Sequence, residues 1–221
     1  MEKEPGSDRV QKLRTSKGVI SLGHRDELVV AAGAWTPALL WSMDLFIPVY
    51  PMKGYSIAFE APGSMGEKDL PQRIISDEYT YTSRLGSQVR VTSVGEFDGW
   101  NTRPDEAVDA AFREQAILHL PQLKSQIEGT ATRCGHRPFV SDGIILVGRV
   151  PSVANLSINV GPGFNGWKVA LGSGEVLVDA LKGSHKGTMG FDGSQLSPLG
   201  RVRESPLLAK ASLAHYYLWR E

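Results

Sequence analysis

The spacing of apolar residues changes several times along the 221-residue chain, and these changes predict where strands and helices lie. Residues 1–17 are polar and aperiodic, which predicts a loosely attached start. Residues 28–32 form a continuous apolar run before Gly33, a pattern typical of a strand covered on both faces in a parallel sheet. Thr36-Pro37 then predicts a short helix with proline in its first turn.

Residues 47–99 are strand-like, because β-branched and aromatic residues dominate them. Gly86 separates the last two apolar runs and predicts a hairpin turn. Tyr79 and Tyr81 are two residues apart, so they share one face of a strand. Such tyrosines can pack on a core or hold their hydroxyl groups over a pocket, and the second alternative makes both candidate site residues.

Two helices follow, with an irregular segment between them. The first is predicted from Thr102, the expected cap, to about His119, with Pro104 and Asp105 in its first turn. Residues 132–148 are rich in turn residues and predict no regular element. The second helix follows a strand at 155–160 and ends at Gly183. The apolar spacing also predicts which residues of each helix face inward. In the first helix these are Ala107, Ala111, Phe112 and Leu118, and in the second they are Trp167, Ala170, Leu171, Leu177, Val178 and Leu181.

Composition excludes several classes of protein. Lys and Arg total 24 and Asp and Glu total 24, so a net charge of zero gives no overall attraction to nucleic acid. Cys134 is the single cysteine, which excludes an internal disulfide and a multi-cysteine metal site, and no metal is expected. No apolar run approaches the roughly 18–20 residues of a membrane span, and the start is not a secretory signal. The expected location is therefore intracellular, in the cytoplasm or a mitochondrion.

The glycine-rich turn GPGFNG at 161–166, between a strand and a helix, is the first candidate site. Such a turn exposes backbone N–H groups and the positive end of the helix dipole to a ligand. Gly172 and Gly174 each weaken the helix by roughly 1 kcal/mol, which fits a helix pressed against a strand or a cofactor. A tight packing turn is the alternative, since the acidic residue that normally follows G-x-G-x-x-G about 20 residues on is absent.

Arg137 in GHRP is the second candidate, because a guanidinium group can grip a carboxylate through two parallel hydrogen bonds. Pro138 forces an extended backbone at Arg137, within what the pattern predicts to be a loop. An ordinary surface arginine is the alternative. His136 and Cys134 are expected to be structural, the first exposed or hydrogen-bonded and the second a small buried apolar residue.

Several motifs, in the order found here, resemble the D-amino acid dehydrogenases, relatives of glycine oxidase, sarcosine oxidase and D-amino acid oxidase. The resemblance covers about residues 10–183. The motifs that carry it are VVAAGAW (29–35), PVYPMKGYS (48–56), DEYTYTSRL (77–85), GHRPFVSDGIILVG (135–148) and NVGPGFNGWKVALGSGEVLVDALKG (159–183).

The resemblance implies a mixed α/β fold, that of the FAD-dependent oxidoreductases, present in part. Residues 18–46 and 149–183 would be the remnant of a dinucleotide-binding domain. Residues 47–148 would be an antiparallel-sheet substrate domain, with 1–17 a loose start and 184–221 a tail.

The resemblance also implies roles for single residues. Ala32 and Gly33 would lie against the FAD dinucleotide, and Arg137 would bind the substrate carboxylate. Tyr79 and Tyr81 join Arg137 as candidate catalytic residues. The residues that would face the isoalloxazine edge of the flavin are Gly163, Phe164, Asn165, Gly166 and Trp167.

The implied reaction is hydride transfer from the Cα of a small amino acid or amine to flavin N5, after which the imine hydrolyses to a 2-oxo acid and ammonia. Three departures from the family qualify it. Pro162 stands where a histidine is frequent and Ile145 where a proline is expected. The amino-terminal strand, fingerprint and acidic residue that hold the dinucleotide would precede Met1, so FAD binding is expected to be weak or absent unless a partner or missing segment supplies that half. A silent fragment or binding protein and an oxidase of glycine or secondary amines are the alternatives.

Overall fold

A computed structural model describes residues 1–3, 6–77 and 79–182, which form two compact units. Residues 1–51 and the described residues from 137 onward make up one, here called the discontinuous unit. Met52–His136 make up the other, here called the inserted unit. The roles predicted for 47–148 and for the segments flanking it stay predictions, and the predicted tail 184–221 lies outside the described residues.

Groups of strands and of helices are interspersed along the chain, as the mixed α/β prediction requires. The strands are β1 (Lys12–Thr15), β2 (Gly18–Ser21), β3 (Leu28–Val30), β4 (Tyr50–Glu60), β5 (Ile75–Ser76), β6 (Thr80–Leu85), β7 (Gln88–Glu96), β8 (Arg133–Phe139), β9 (Leu146–Arg149) and β10 (Leu156–Val160). The helices are α1 (Thr36–Trp41), α2 (Glu106–His119), α3 (Lys124–Gly129) and α4 (Gly166–Lys182).

The discontinuous unit is built on a three-stranded sheet with the order β3-β10-β9. β3 runs parallel to β10, with Val30 opposite Ile158, which confirms the predicted parallel pairing. β9 runs antiparallel to β10 on its other side. β3 is an edge strand of this sheet, and its Val29 is exposed, so the prediction that both faces are covered is wrong for the described residues.

The start of the chain is not loose throughout. Val10 is buried in the same core as Val30 and Leu156. Its backbone N–H donates to Oδ1 of Asn155 (2.8 Å) and its carbonyl accepts from Nδ2 of that residue (2.9 Å). β1 and β2 then form an antiparallel hairpin. The polar composition of residues 1–17 concealed this attachment, because one apolar residue and an asparagine 145 positions away provide it.

The inserted unit centres on a five-stranded sheet with the order β5-β6-β7-β4-β8. β6 and β7 form the predicted antiparallel hairpin, and its turn residue Gly86 has a positive φ of 62°. Residues predicted to be irregular form β8 and β9, separated by a turn at Gly143. Turn-forming residues within and between these strands hid the strand pattern.

Helix α2 ends at His119 as predicted, but its start and its inward face differ. Asp105 is the cap, since its side chain accepts from the N–H groups of Ala107 and Val108 at 3.0 Å each. Thr102 and Pro104 precede the cap. Phe112 and Ala116 are the buried residues of the helix, whereas the predicted Ala107, Ala111 and Leu118 are exposed.

A fully buried lysine joins β4 to the end of β7. Nζ of Lys53 donates to Asp98 (2.7 Å) and to the Arg103 carbonyl (3.1 Å), and it pairs with Glu96 at 2.9 Å. Burial opposes the charge of the ammonium group, but its bonds to Asp98 and Glu96 outweigh burial and raise the pKa of Lys53. Tyr55 donates to Glu96 at 2.6 Å and accepts from the backbone N–H of Asp105, which extends the network to the α2 cap.

Candidate functional site

Two glycine turns lie at one edge of the three-stranded sheet. Because β3 and β10 are adjacent and parallel, their carboxyl ends meet there. β3 leads to Ala32 and Gly33, and β10 leads to Gly161 and Gly163. Each turn continues through a short 3-10 segment into a helix, α1 in the first case and α4 in the second. The structure therefore brings both predicted cofactor-binding segments to the same edge.

Glycine is required in these turns for two different reasons. Gly33 and Gly163 have φ values of 57° and 53°, in the left-handed region that disfavours other residues. A Cβ on Gly33 would meet no described atom within 4 Å, and one on Gly163 would meet only the Phe139 ring, at 3.7 Å. At Gly161 a Cβ would lie 2.5 Å from Cγ2 of Val140, so that glycine serves close packing. The packing alternative therefore holds at Gly161, while Gly33 and Gly163 leave room for a ligand.

Helix α4 continues the second turn and packs on the sheet through a face that the apolar spacing missed. Nδ2 of Asn159, on β10, donates to the buried Ser173 hydroxyl at 3.2 Å. Leu177 is buried on the same side. By contrast, Trp167 and Leu171 are 98% and 90% exposed, so the predicted inward face is wrong for both.

The glycines within α4 have no neighbour that explains them. A Cβ on Gly172 or on Gly174 would meet no described atom within 4 Å. The prediction that these glycines let the helix press against a strand is therefore wrong. Val178 is also exposed, so α4 carries an apolar outer stripe, defined as Trp167, Leu171 and Val178.

Arg137 lies in strand β8 and not in a loop, and it contacts the second glycine turn. Its Cζ lies 5.1 Å from the centroid of the Phe164 ring. Phe139, two residues further along β8, is the side chain nearest to Gly163. Since residues two apart share a face of a strand, one face of β8 carries both contacts. Arg137, Phe139, Gly163 and Phe164 are thus brought together.

Phe139 and Val140 are the residues of this site that sequence analysis missed. The signal that could have found Phe139 is its spacing of two from Arg137, which is informative only where residues 133–139 are taken as a strand. Nothing in the sequence pairs Val140 with Gly161, because the contact depends on how the turn folds back.

Tyr79 and Tyr81 belong to the inserted unit, and both are exposed. The alternative that they pack on its core is therefore wrong. Tyr79 precedes β6, and its backbone N–H donates to Oδ1 of Asp77 at 2.7 Å. Thr80 and His119 also hold Asp77, with Nε2 of His119 at 2.5 Å from Oδ2. Burial favours the neutral acid, but the bonds from Thr80, His119 and Tyr79 outweigh it and lower the pKa of Asp77.

Cys134 precedes the GHRP motif, and His136 lies within it. Cys134 is half-buried, and burial raises the pKa of its thiol, which disfavours the reactive thiolate. The His136 ring stacks edge-on against Trp100, with centroids 5.1 Å apart. Among residues 1–3, 6–77 and 79–182, no three His, Cys, Asp or Glu side chains are placed to hold a metal ion.

The site's open backbone fits part of a flavin cofactor. Gly33 and Gly163 leave space beside the main chain, and the 17-residue helix α4 directs its first N–H groups toward the second turn. Asn165 closes that turn by donating to the Pro162 carbonyl at 2.8 Å, and its side chain is exposed. This arrangement suits a partly anionic ring edge.

No helix in the described part of the chain is long and apolar enough to cross a membrane.

Comparisons with known proteins identify the family of the chain. The model of the family described as "DAO: FAD dependent oxidoreductase" matches residues 3–180. The chain is 34% identical to an uncharacterized oxidoreductase of Halorhodospira halophila over 180 residues, which are 80% of this chain and 79% of that protein. It is 32% identical to a D-amino acid dehydrogenase of Bradyrhizobium diazoefficiens over 177 residues, 79% of this chain and 40% of that relative.

The fold is also that of a solved flavoprotein. It matches the crystal structure of glycine oxidase from Bacillus cereus with a TM-score of 0.66 and 21% identity, over 84% of this chain and 50% of that one. The chain therefore spans about half of that structure and 40% of the D-amino acid dehydrogenase. The predicted FAD-dependent oxidoreductase fold and the predicted resemblance are both confirmed, and the chain belongs to the DAO family of FAD-dependent oxidoreductases.

Proposed function

We propose that this chain supplies the carboxylate anchor and the flavin-edge turn of an enzyme that oxidatively deaminates a small amino acid. One observation carries the proposal. Arg137, on β8, lies against Phe164 in the glycine turn at the sheet edge, so a carboxylate grip and an open backbone are adjacent. The D-amino acid dehydrogenases among the relatives support an amino acid as the substrate.

The residues have distinct roles in this proposal. FAD, when bound, supplies the acceptor for the hydride that leaves the substrate Cα, and the resulting imine hydrolyses to a 2-oxo acid and ammonia. Arg137 orients the substrate through two hydrogen bonds to its carboxylate. The backbone N–H groups at 163–167 stabilise negative charge at the edge of the cofactor. Tyr79 and Tyr81 are exposed and able to offer hydroxyl groups to a ligand. No side-chain nucleophile is required.

The chain by itself holds FAD weakly or not at all in this proposal. Its single G-x-G-x-x-G sequence, at 161–166, lacks the acidic partner that a dinucleotide site normally has. A partner or further segment would supply the dinucleotide-binding half, which the greater length of the D-amino acid dehydrogenases supports. The visible absorbance of the purified chain tests this, and stoichiometric, tightly bound flavin would contradict it.

Replacement of Gly163 by valine tests the turn in a chain complemented with its dinucleotide-binding half. The substitution places a branched side chain beside the proposed flavin edge, so flavin retention should fall sharply while the fold survives. Gly172→Val is the matched control, because that position in α4 faces open space. Equal flavin retention in both variants would limit the turn to a structural role.

Arg137→Lys tests the anchor, because lysine keeps the charge but loses the two parallel hydrogen bonds. In the complemented enzyme we expect kcat/KM for amino acids to fall roughly 10- to 150-fold, the equivalent of about 1.5–3 kcal/mol. The kcat/KM for amines that lack a carboxylate should change little. Equal losses on both substrate types would show that Arg137 only supports the local structure.

A second candidate is a binding protein without catalysis, in which Arg137 beside Phe164 would grip a carboxylate and no flavin would be held. The two candidates differ in flavin content after complementation, since a binding protein stays colourless. If flavin is retained, oxygen consumption with glycine or a secondary amine distinguishes an oxidase from a dehydrogenase. The fold it shares with glycine oxidase is the reason to include glycine.

A further inference from the structure

We infer that Phe164 is a positioning residue for Arg137: its ring holds the guanidinium group in the orientation that receives a substrate carboxylate. This inference rests on the proposed role of Arg137 as the anchor. In this inference the Phe164 side chain acts on substrate binding through Arg137, while the backbone of the same turn remains available to the cofactor. The family resemblance implies instead that Phe164 faces the cofactor together with the rest of the turn.

The contact between the two residues is specific. The guanidinium carbon lies over the ring at 5.1 Å from its centroid, inside the distance of about 6 Å at which a cation and an aromatic face attract. Both side chains lie on structured elements, Arg137 on β8 and Phe164 in the 3-10 segment before α4. A flexible surface contact would lack this support on both sides.

A second contact fixes how the turn meets the strand. Phe139 lies on the same face of β8 as Arg137, and its ring is the neighbour that a Cβ on Gly163 would meet. Consecutive turn residues, Gly163 and Phe164, therefore lie beside alternate strand residues, Phe139 and Arg137.

Stacking a ring on a guanidinium group has a directional effect. The N–H bonds of a guanidinium group point outward in its plane, and an aromatic face attracts the cation itself. In this inference Phe164 contacts the cation and does not cover the fork that binds a carboxylate. Arginine loses much rotamer freedom when it binds, and a group already held in place loses less. Phe164 thus strengthens carboxylate binding without touching the carboxylate.

Phe164 is 54% exposed, which matters for this assignment. A ring buried in the core would stabilise the fold, and its replacement would unfold the protein. A half-exposed ring beside a cation can be replaced at small cost to the fold, so its effect on binding is measurable. Phe164→Leu keeps the apolar bulk but removes the aromatic face, and Phe164→Tyr keeps both.

The experiment uses the full 221-residue chain and the signals of arginine Nε–Hε groups in NMR spectra, with Arg137 assigned by Arg137→Lys. D-alanine is the probe, and ethylamine, which lacks the carboxylate, is its matched control. In the wild-type protein, D-alanine should shift the Arg137 signal in a saturable manner and ethylamine should not. Phe164→Leu should remove the ring-current shift of Arg137 and weaken D-alanine binding about two- to five-fold. Phe164→Tyr should restore both.

The outcomes separate this inference from the proposed function. D-alanine affinity in every variant is read from the backbone N–H signal of Gly163, because Arg137→Lys has no Arg137 signal. If Phe164→Leu leaves that affinity unchanged while Arg137→Lys abolishes it, the anchor stands and the inference about Phe164 is overturned. If Arg137→Lys has no effect either, the anchor fails and the inference fails with it. Leu118→Ala, an exposed substitution on α2, is the control that should change nothing. A loss of fold in Phe164→Leu, shown by shifts throughout the spectrum, would assign the ring a structural role and overturn the inference.

Discussion

The two units differ in one buried charge and one exposed helix face. In the inserted unit, Lys53 is out of contact with water and satisfied by Asp98, Glu96 and a backbone carbonyl. In the discontinuous unit, helix α4 carries Trp167 and Leu171 of the outer stripe almost entirely in water.

This difference separates residues that maintain the fold from residues available for binding. A buried charge is tolerated only where its partners are fixed, so the Lys53 network marks a region that must stay rigid. Helices that are apolar on more than one side are normally covered on more than one side. Helix α4 packs on the sheet through Leu177 and leaves its outer stripe for contact.

The largest expected effect compares two truncations, one in each unit. Phe112, on α2, is buried against Tyr55 with ring centroids 6.4 Å apart. Phe112→Ala should lower the free energy of unfolding by about 3–5 kcal/mol, because it leaves a cavity. Leu171→Ala should change that free energy by less than about 0.5 kcal/mol. Urea denaturation measures both, and similar losses would mean that the outer stripe is covered in solution.

Lys53→Met should produce the next largest effect. It removes the cation that Asp98 and Glu96 share, and we expect a loss of about 3 kcal/mol, the low end for a broken buried pair because both carboxylates reach water. The folded pKa of Lys53 is raised, so its contribution is complete below the ordinary lysine value of about 10.4 and is lost as the pH rises through the folded value. Thermal unfolding between pH 7 and 12 tests this, since Lys53→Met should remove the part of the decline in stability at alkaline pH that the deprotonation of Lys53 causes.

A glycine pair in the discontinuous unit should give changes of opposite sign. Gly163→Ala forces an L-residue into a left-handed conformation and should cost about 1–2 kcal/mol. Gly172→Ala lies within α4 with open space around it and should stabilise the protein by up to about 1 kcal/mol. The denaturation midpoints of the two variants are compared with that of the wild-type protein. A loss of stability in Gly172→Ala would show that a neighbour lies against Gly172 on the face of α4.

The smallest expected effect concerns the carboxylate that holds Tyr79 and Thr80. The folded pKa of Asp77 is lowered, so its contribution to stability is complete above the unfolded value of about 3.9 and is lost as the pH falls toward the folded value. Asp77→Asn should cost about 1 kcal/mol at neutral pH. Asp77→Asn should also make the free energy of unfolding less dependent on pH below pH 4. An unchanged dependence on pH would contradict the role of Asp77 and its hydrogen-bond partners.

Local features of the fold were predictable where the responsible residues are neighbours in sequence. The hairpin at Gly86 and the end of α2 at His119 are examples, because turn and helix-stop signals act over a few residues. The α2 cap was misplaced at Thr102 since two capping residues stand close together and the sequence does not show which side chain reaches the helix N–H groups. Asp105 is the residue that does.

Long-range features were not predictable by the same means. Lys53 pairs with Glu96 only because the register of β4 on β7 shifts between Gly54 and Ser56, and such a shift leaves no sequence pattern. In α4 the apolar spacing identified an apolar face but could not show which face the sheet covers. Both candidate motifs, at Arg137 and at 161–166, were found from their residues, whereas their contact through Phe164 required the fold.

The exposure of Trp167 also has an optical consequence. An indole ring in water fluoresces at longer wavelength than a buried one and is accessible to dissolved quenchers such as iodide. The difference spectrum between the wild-type protein and Trp167→Phe isolates this emission from that of the other tryptophans. Trp167 begins the outer stripe beside the glycine turn. Any molecule that covers this region will therefore shift the emission of Trp167 to shorter wavelength and protect it from iodide. The fluorescence of Trp167 thus reports directly on binding at α4.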